Sequence, residues 1–391
     1  MAENTDNKEK QPQLMSRRSF LQKSALMGAA FLAASSVIPQ ETEAKGRSRA
    51  NKSGHMNISG RRTLGSGSAA LTVSALGFGC MGMNYNRSVS PSRKECIKVI
   101  REAVERGVTL FDTAIIYGPL INEDLVGEAL APYKGQVAVT TKFGHEVING
   151  KATGRQNSRP ETIRRYCEES LRRLRVDCLE MFYQHRLDRN VPIEEVAGTV
   201  GDLIKEGKVK RWGVCEVSAD TIRRAHAVTP LTAVQSEYHL MFRDVETNGV
   251  LDACRELGIG FVPYSPMNRG FLGGAINEYT RFDPNNDNRQ TLPRFFPENI
   301  RLNTRIVNEL QEFGRKRGMT SAQVALAWLL AKAPFIVPIP GTTKLAHLEE
   351  NLRAADMPLS AADVRELEAA VGRFPVVGDR YPAEQQRQVQ S

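Results

Sequence analysis

The chain has 391 residues, 41% hydrophobic and 25% charged, with six cysteines and a net charge of +9. This composition fits one large globular domain or two smaller ones and excludes a collagenous, disulfide-scaffold or disordered chain. The charge does not argue for nucleic acid: six Lys and Arg lie between Lys45 and Arg62 with no Asp or Glu among them, a solvated tether rather than a binding patch.

In chain order, the first feature is "SRRSFLQK" at Ser16–Lys23, followed by the mildly apolar run "SALMGAAFLAASSVI" and by "TEA" ending at Ala44. A charged segment, an apolar segment and a small residue at a cleavage point make an export signal rather than a membrane span. Arg17–Arg18 with Phe20 and Leu21 resembles a twin-arginine signal. The resemblance implies transport of an already folded protein by the twin-arginine export machinery, with a periplasmic or otherwise exported destination. The expected organisation is an export signal over residues 1–44, a basic linker over 45–60, one folded domain over 61–375 and a tail over 376–391.

The folded part opens with "RTLGSGSAALTVS", a short hairpin with a Gly-Ser turn able to cap a barrel bottom. Eight strand-like runs follow: "SALGFG" (Ser74), "VTLFDT" (Val108), "VAVTTKF" (Val137), "CLEMFYQH" (Cys178), "VKRWGVCE" (Val209), "LTAVQSEY" (Leu231), "GIGFVPYS" (Gly258) and "FIVPIPG" (Phe335). Helical periodicity separates most of them: Ile163, Cys167, Leu171 and Leu174 share one face after Pro160, and Leu302, Ile306, Leu310 and Phe313 repeat the spacing. Strand–helix alternation over eight units predicts an α/β protein with a closed (β/α)8 TIM barrel. A long loop after the seventh strand, roughly Asn268 to Asn299, has the length of a cover over a functional site.

Gly77, Gly79 and Gly82 in "LGFGCMG" have the G-x-G-x-x-G spacing, but no helical pattern begins before Pro91, so a Rossmann site is not predicted. No C-x-x-C occurs, and the six histidines show no ligand spacing, so no metal site is predicted. Cys96, Cys167 and Cys254 fall in helical patterns and Cys178 opens a strand, all four as small buried apolar residues.

Barrel chemistry sits at the C-terminal strand ends. Those ends read Asp112, Lys142, His185, Cys215–Glu216, Gln235 and Tyr264–Ser265, with Tyr117 on the loop leaving the second strand. A lysine beside a tyrosine favours its phenolate and lowers its pKa. An aspartate would fix the lysine, and a histidine would face a carbonyl oxygen. Together they would protonate that oxygen as hydride reaches its carbon. A desolvated Lys142 acting as a Schiff-base aldolase nucleophile is the competing chemistry.

The stretches "FDTAIIYG", "TTKFG", "YQHRLD", "VQSEYHL", "PYSPMNRGFL" and "PIPGTTKLAHLEENL" resemble the aldo-keto reductases, in family order from about Arg61 to Val371. The resemblance implies NADPH (NADH being possible) bound across a barrel mouth, a small-molecule carbonyl substrate, and a catalytic tetrad of Asp112, Tyr117, Lys142 and His185 with Tyr117 as the acid. It also implies that Gln235 bonds the nicotinamide amide and Tyr264 stacks on its ring, with Ser265, Met267, Asn268 and Arg269 along the pyrophosphate, and that the glycines of "LGFGCMG" end the first strand where backbone approaches cofactor or substrate closely. Gly341, Thr342, Thr343 and Lys344 would meet the adenosine phosphate, with Glu350 and Asn351 at the adenine. Two positions depart from the family pattern. Cys215–Glu216 replaces the frequent Ser-Asn, and His347 stands where an arginine often binds the 2′-phosphate. A slow-turnover, NADPH-bound sensor, like the potassium-channel subunits that resemble this family, is the alternative function.

Overall fold

Short β-branched and aromatic runs bounded by Gly, Pro and Asp form the strands, and the amphipathic segments between them form the helices. The computed structural model describes residues 57–389; the stretch expected to be an export signal and most of that expected to be a basic linker lie outside them. A hairpin of β1 (Arg61–Leu64) and β2 (Leu71–Ser74) comes first, registered Arg61 to Ser74 and Leu64 to Leu71. Seven parallel strands follow, each beside its predecessor in the sheet: β3 (Phe78–Gly79), β4 (Leu110–Asp112), β5 (Ala138–Phe143), β8 (Met181–Gln184), β9 (Trp212–Cys215), β10 (Ala233–Glu237) and β11 (Gly260–Tyr264). A second hairpin, β6 (His145–Ile148) with β7 (Lys151–Gln156), stands on the loop after β5.

The eighth stave closes the barrel with half a ladder. Val337 and Ile339 donate to the carbonyls of Phe261 and Pro263 in β11, while Gly77 and Gly79 donate to the carbonyls of Pro338 and Pro340. The two prolines have no N–H to return to β3, which is why this stave is held less regularly than the seven strands. It also accounts for Gly79 of "LGFGCMG" and for Gly341. A Cβ on Gly79 would sit 2.9 Å from the Ile339 carbonyl oxygen, and one on Gly341 would sit 2.5 Å from the Gly79 carbonyl oxygen. The close approach at these two glycines is between the first and last staves. Gly82 lies in a single 3-10 turn, so no helix opens there.

Leu110, Met181, Tyr183, Val262 and Val337 fill the barrel, and Leu64, Leu71 and Val73 of the first hairpin close its bottom. The helices pack outside. Helix α1 (Arg93–Glu105) starts on a capping box of Ser92 and Glu95, and α2 (Ile121–Leu130) follows β4. Helix α3 (Pro160–Leu174) buries Ile163, Cys167 and Leu174 as its spacing predicts. Next come α4 (Ile193–Lys205), α5 (Ala219–Val228), α6 (Val250–Leu257), α7 (Pro297–Arg315), α8 (Ser321–Lys332), α9 (Leu345–Arg353), α10 (Ala361–Val371) and the short α11 (Ala383–Gln386). Among the described residues no helix is long and apolar enough to cross a membrane.

Three local expectations are corrected. Helix α7 begins at Pro297, so Asn299 is already helical, and the loop before it is broken into short turns over Asn268–Gly273, Asn288–Thr291 and Pro293–Phe295. Leu302 is 38% exposed, because the buried face of α7 runs instead through Ile300, Asn303, Ile306, Val307 and Leu310. Cys178 precedes its strand, which starts at Met181, and it is only half-buried; all six cysteines are free thiols.

Candidate active site

The adjacent staves β4, β5 and β8 bring Asp112, Lys142 and His185 to the C-terminal mouth, and the loop after β4 returns Tyr117 over them. Lys142 is fully buried. Its ammonium donates to an Asp112 carboxylate oxygen, to the Thr113 carbonyl at 2.8 Å and to the Tyr117 hydroxyl at 3.4 Å. Three donors meet three acceptors, so the ammonium is saturated. The other Asp112 oxygen accepts from Thr140 at 2.8 Å and from the Gln235 amide at 3.0 Å. Gln235 thus braces Asp112 from across the barrel.

Tyr117 is stacked on Tyr85, with ring centroids 5.8 Å apart, and meets the edge of His185 at 5.8 Å. Lys142 Nζ lies 5.1 Å from its ring centroid. Burial pushes the Tyr117 phenol up to about 12, and the Lys142 charge only partly opposes it. The net direction is opposite to that expected from lysine alone, and it keeps the hydroxyl protonated, as a proton donor requires. Burial pulls the Lys142 ammonium down, but Asp112 and the neighbouring phenol outweigh it and hold it above its ordinary value. A saturated, protonated amine is a poor nucleophile, which removes the physical basis for a Schiff base at Lys142.

Burial, assisted by the nearby His145, Arg186 and Lys142, drives the His185 imidazole well below its ordinary range, so it is neutral. His145 is lowered to about 3 by burial and Arg186, and His239 to about 4, burial outweighing its Glu237 partner. These shifts have a defined consequence. Below the unfolded imidazole value of about 6.5 the unfolded chain binds protons that the folded chain refuses, so stability falls as pH drops. Thermal denaturation is expected to show a falling midpoint between about pH 6.5 and 4.5, above the range where ordinary carboxylates titrate. A flat midpoint over that interval would contradict it.

A cleft of about 460 Å³ opens above these groups. Tyr117, His185, Cys215, Gln235, Tyr264 and Ser265 form its floor. Met81, Tyr85 and Arg87 come from the loop after β3, His145, Glu146 and Gly154 from the second hairpin, and Arg269 and Asn288 from the long loop. Tyr381, Gln385 and Gln388 come from the C-terminal tail. The long loop does reach over the mouth: Asn286 accepts from the Asn86 amide at 2.9 Å, Asp287 accepts from Ser88 at 2.7 Å, and Asn288 accepts from Arg87 at 2.7 Å.

The tail is locked by charge. Arg380 pairs with Glu216 at 2.5 Å, and Tyr381 shares a hydrogen bond with Tyr264 at 2.7 Å between hydroxyls. Glu237, fully buried, takes both Arg269 nitrogens at 3.1 and 3.0 Å and also bonds His239. Glu216 and Arg269 are therefore engaged by protein charges, and the surrounding guanidinium groups outweigh burial to hold both glutamates below their ordinary range. Glu216, Ser265, Asn268 and Arg269 all have φ between 46° and 55°. Such left-handed conformations outside glycine are costly, and here they cluster around the cleft.

The remaining positions expected at the nucleotide divide. Cys215 is buried in the cleft wall, and burial raises its thiol to about 12. Met267 and Asn268 lie on the turn after β11. Gly341, Thr342, Thr343 and Lys344 lead into α9, whose body carries His347, Glu350 and Asn351; none of these line the cleft. Lys344 and His347 are exposed there, while Asn351 is buried.

The model of the aldo/keto reductase family matches residues 75–371. The chain belongs to that family. It is 44% identical over 317 residues to a probable aldo-keto reductase 1 of Glycine max, covering 81% of this chain and 90% of that one. Among solved structures it resembles the glycerol dehydrogenase from Gluconobacter oxydans, with a TM-score of 0.72 and 25% identity over 80% of this chain and 96% of that one. It shares the fold of a thermostable aldo-keto reductase solved with the inhibitor epalrestat, at a TM-score of 0.64 and 24% identity, over 80% of this chain and all of that one. The barrel is thus an oxidoreductase of the aldo-keto reductase family, which uses NAD(P)H in carbonyl reduction.

The residues present fit the nicotinamide end of that cofactor. Tyr264 and Gln235 both line the cleft, from the neighbouring strands β11 and β10. His185 Nδ1 and Asn268 Oδ1 are buried with no hydrogen-bond partner among the described residues. Of these two residues only His185 lines the cleft, where an unpaired buried ring nitrogen suits a carbonyl partner.

The sequence marks the tail "FPVVGDRYPAEQQRQVQS" as a place for substrate choice but singles out neither Arg380 nor Tyr381 within it, and it gives no role to the buried Glu237 or the second hairpin. For the hairpin a signal existed: Asn149–Gly150 has φ of 50° and 72°, the pair of positive values that a two-residue Asn-Gly turn supplies.

Proposed function

We propose that this protein is an exported, NADPH-preferring reductase of aldehydes or ketones in which Tyr117 is the general acid. One observation carries it: the Lys142 ammonium is held between Asp112, the Thr113 carbonyl and the Tyr117 hydroxyl at the base of the cleft. A reduced nicotinamide, when bound, supplies the hydride that reaches the carbonyl carbon. Tyr117 gives its proton to the carbonyl oxygen, and the oxygen left on Tyr117 is stabilised by Lys142. Asp112 holds Lys142 in place and balances its charge, while the neutral His185 orients the carbonyl oxygen from the opposite side. Tyr85, Tyr264 and Tyr381 exclude water around that oxygen.

The preference for NADPH rests on the residues entering α9. Lys344 and the free backbone N–H groups of the first helical turn suit a phosphate, and His347 adds a weaker partner than the arginine often found there. Titration of purified protein with each nucleotide tests this: NADPH is expected to bind at least tenfold more tightly than NADH, and Lys344→Ala to remove most of the difference. Equal affinities would overturn the preference. Export is supported by Arg17–Arg18 and the apolar run behind it. Loss of export after Arg17→Lys with Arg18→Lys is expected; unchanged export would refute it.

A further inference from the structure

The cleft carries positive charge that the protein does not neutralise. Arg87, Arg186 and Arg269 all line it. Arg269 is balanced by Glu237; the carboxylates nearest the other two, Glu216 toward Arg186 and Asp287 toward Arg87, are already paired with Arg380 and Arg289. Arg186 donates to the His185 carbonyl at 2.7 Å, and Arg87 donates to the Asn86 carbonyl at 2.5 Å and to Asn288 at 2.7 Å. Every one of these acceptors is uncharged. Among the described residues neither guanidinium has a carboxylate within ion-pair distance, since the neighbouring Asp287 is held by Arg289 at 2.5 Å. Glu146, the lone carboxylate in the cleft lining, is taken by Arg155 at 2.7 Å.

A guanidinium stays charged at neutral pH, so two partly buried, unpaired ones must be compensated by water or by an anion. Their positions decide where that anion would sit. Arg87 stands on the loop that also provides Tyr85, stacked on Tyr117, and Arg186 directly follows His185. Both flank Tyr117 and His185; of the positions expected along the pyrophosphate, Ser265 and Arg269 share the cleft, but Arg269 is already balanced by Glu237, and the residues entering α9 lie outside it. The tail adds the Gln385 and Gln388 amides to the same cleft.

We infer that Arg87 and Arg186 form an anion-recognition site for the substrate, so that the preferred carbonyl compound carries a carboxylate or phosphate a few atoms from the carbonyl. The inference rests on the carbonyl-reductase reading for turnover but not for binding. Guanidinium forks match planar carboxylate and tetrahedral phosphate alike, and charge-assisted hydrogen bonds of this kind are about twice as strong as neutral ones.

Matched substrate pairs test it with purified protein and NADPH: succinic semialdehyde against its methyl ester, and glyceraldehyde 3-phosphate against glyceraldehyde. At least one anionic member is expected to have a kcat/KM tenfold or more above its neutral partner, and the better pair tells carboxylate from phosphate. Arg87→Gln and Arg186→Gln are each expected to cut that ratio at least threefold, and Arg186→Lys to retain part of it. A binding readout separates this site from the chemistry. Calorimetry with unreactive succinate and glycerol 3-phosphate on NADPH-loaded protein is expected to show an anion binding that high salt weakens and the double glutamine variant loses. Thermal melts establish that each variant is folded. If no carbonyl is reduced yet the anion binds through these arginines, the reductase reading fails and the site stands. If neutral partners are reduced equally well, or the variants keep both ratio and binding, the anion site is refuted and the reductase reading survives.

Discussion

Tyr117→Phe is expected to lower kcat/KM for carbonyl reduction by about 10²–10⁴-fold, the usual worth of a positioned general acid. The substitution removes one hydroxyl and little else. The ring still stacks on Tyr85, meets His185 edge-on and lies under the Lys142 charge. Lys142 keeps Asp112 and the Thr113 carbonyl as acceptors and loses only the weaker contact at 3.4 Å. The stability change should therefore stay near 1 kcal/mol, the net worth of one hydrogen bond. NADPH affinity, followed by quenching of protein fluorescence, should change by less than about threefold, because a catalytic loss confined to the proton step leaves nucleotide contacts intact. A parallel loss of binding and turnover would make Tyr117 a structural residue and would contradict the assigned role.

The second large effect is on stability. Lys142→Met leaves the Asp112 carboxylate buried, with Thr140 and Gln235 as donors but no counter-charge. Breaking a buried pair from one side costs about 3–5 kcal/mol, because the charge left behind is uncompensated. For a domain of this size that amounts to a fall in melting temperature of about 4–7 °C. Activity should vanish as well, since nothing then stabilises the oxygen left on Tyr117. Adding Asp112→Asn to Lys142→Met should recover much of the stability and none of the activity. If the single variant melts within about 2 °C of the wild type, the pair does not carry the load assigned to it.

The barrel was legible because each stave announces itself locally. "VAVTTKF" and "LTAVQSEY" combine β-branched residues with turn-bounded ends, and α3 shows its buried face in the spacing of Ile163, Cys167 and Leu174. Asp112, Lys142 and His185 could be placed together because polar residues at successive strand ends converge on one mouth. What escaped depends on contacts far apart in sequence. Arg380 reads as one more charge in a polar tail until it is seen paired with Glu216, which precedes it by 164 residues. Glu237 gives no sign that it will be enclosed by Arg269, Arg294 and Arg380. Gly79 and Gly341 explain each other only once the first and last staves are adjacent. The direction of the Tyr117 shift likewise needed the burial that no local pattern records.

The most direct measurement is the loss of reduced-nicotinamide absorbance at substrate excess, with purified protein, NADPH and a panel of aldehydes and ketones. Many NADPH molecules should be consumed per protein molecule, with one alcohol formed for each and the rate lost in Tyr117→Phe. A single slow turnover with the nucleotide retained through gel filtration, or sustained turnover that Tyr117→Phe leaves intact, would contradict a lysine-backed tyrosine as the proton donor of a working reductase.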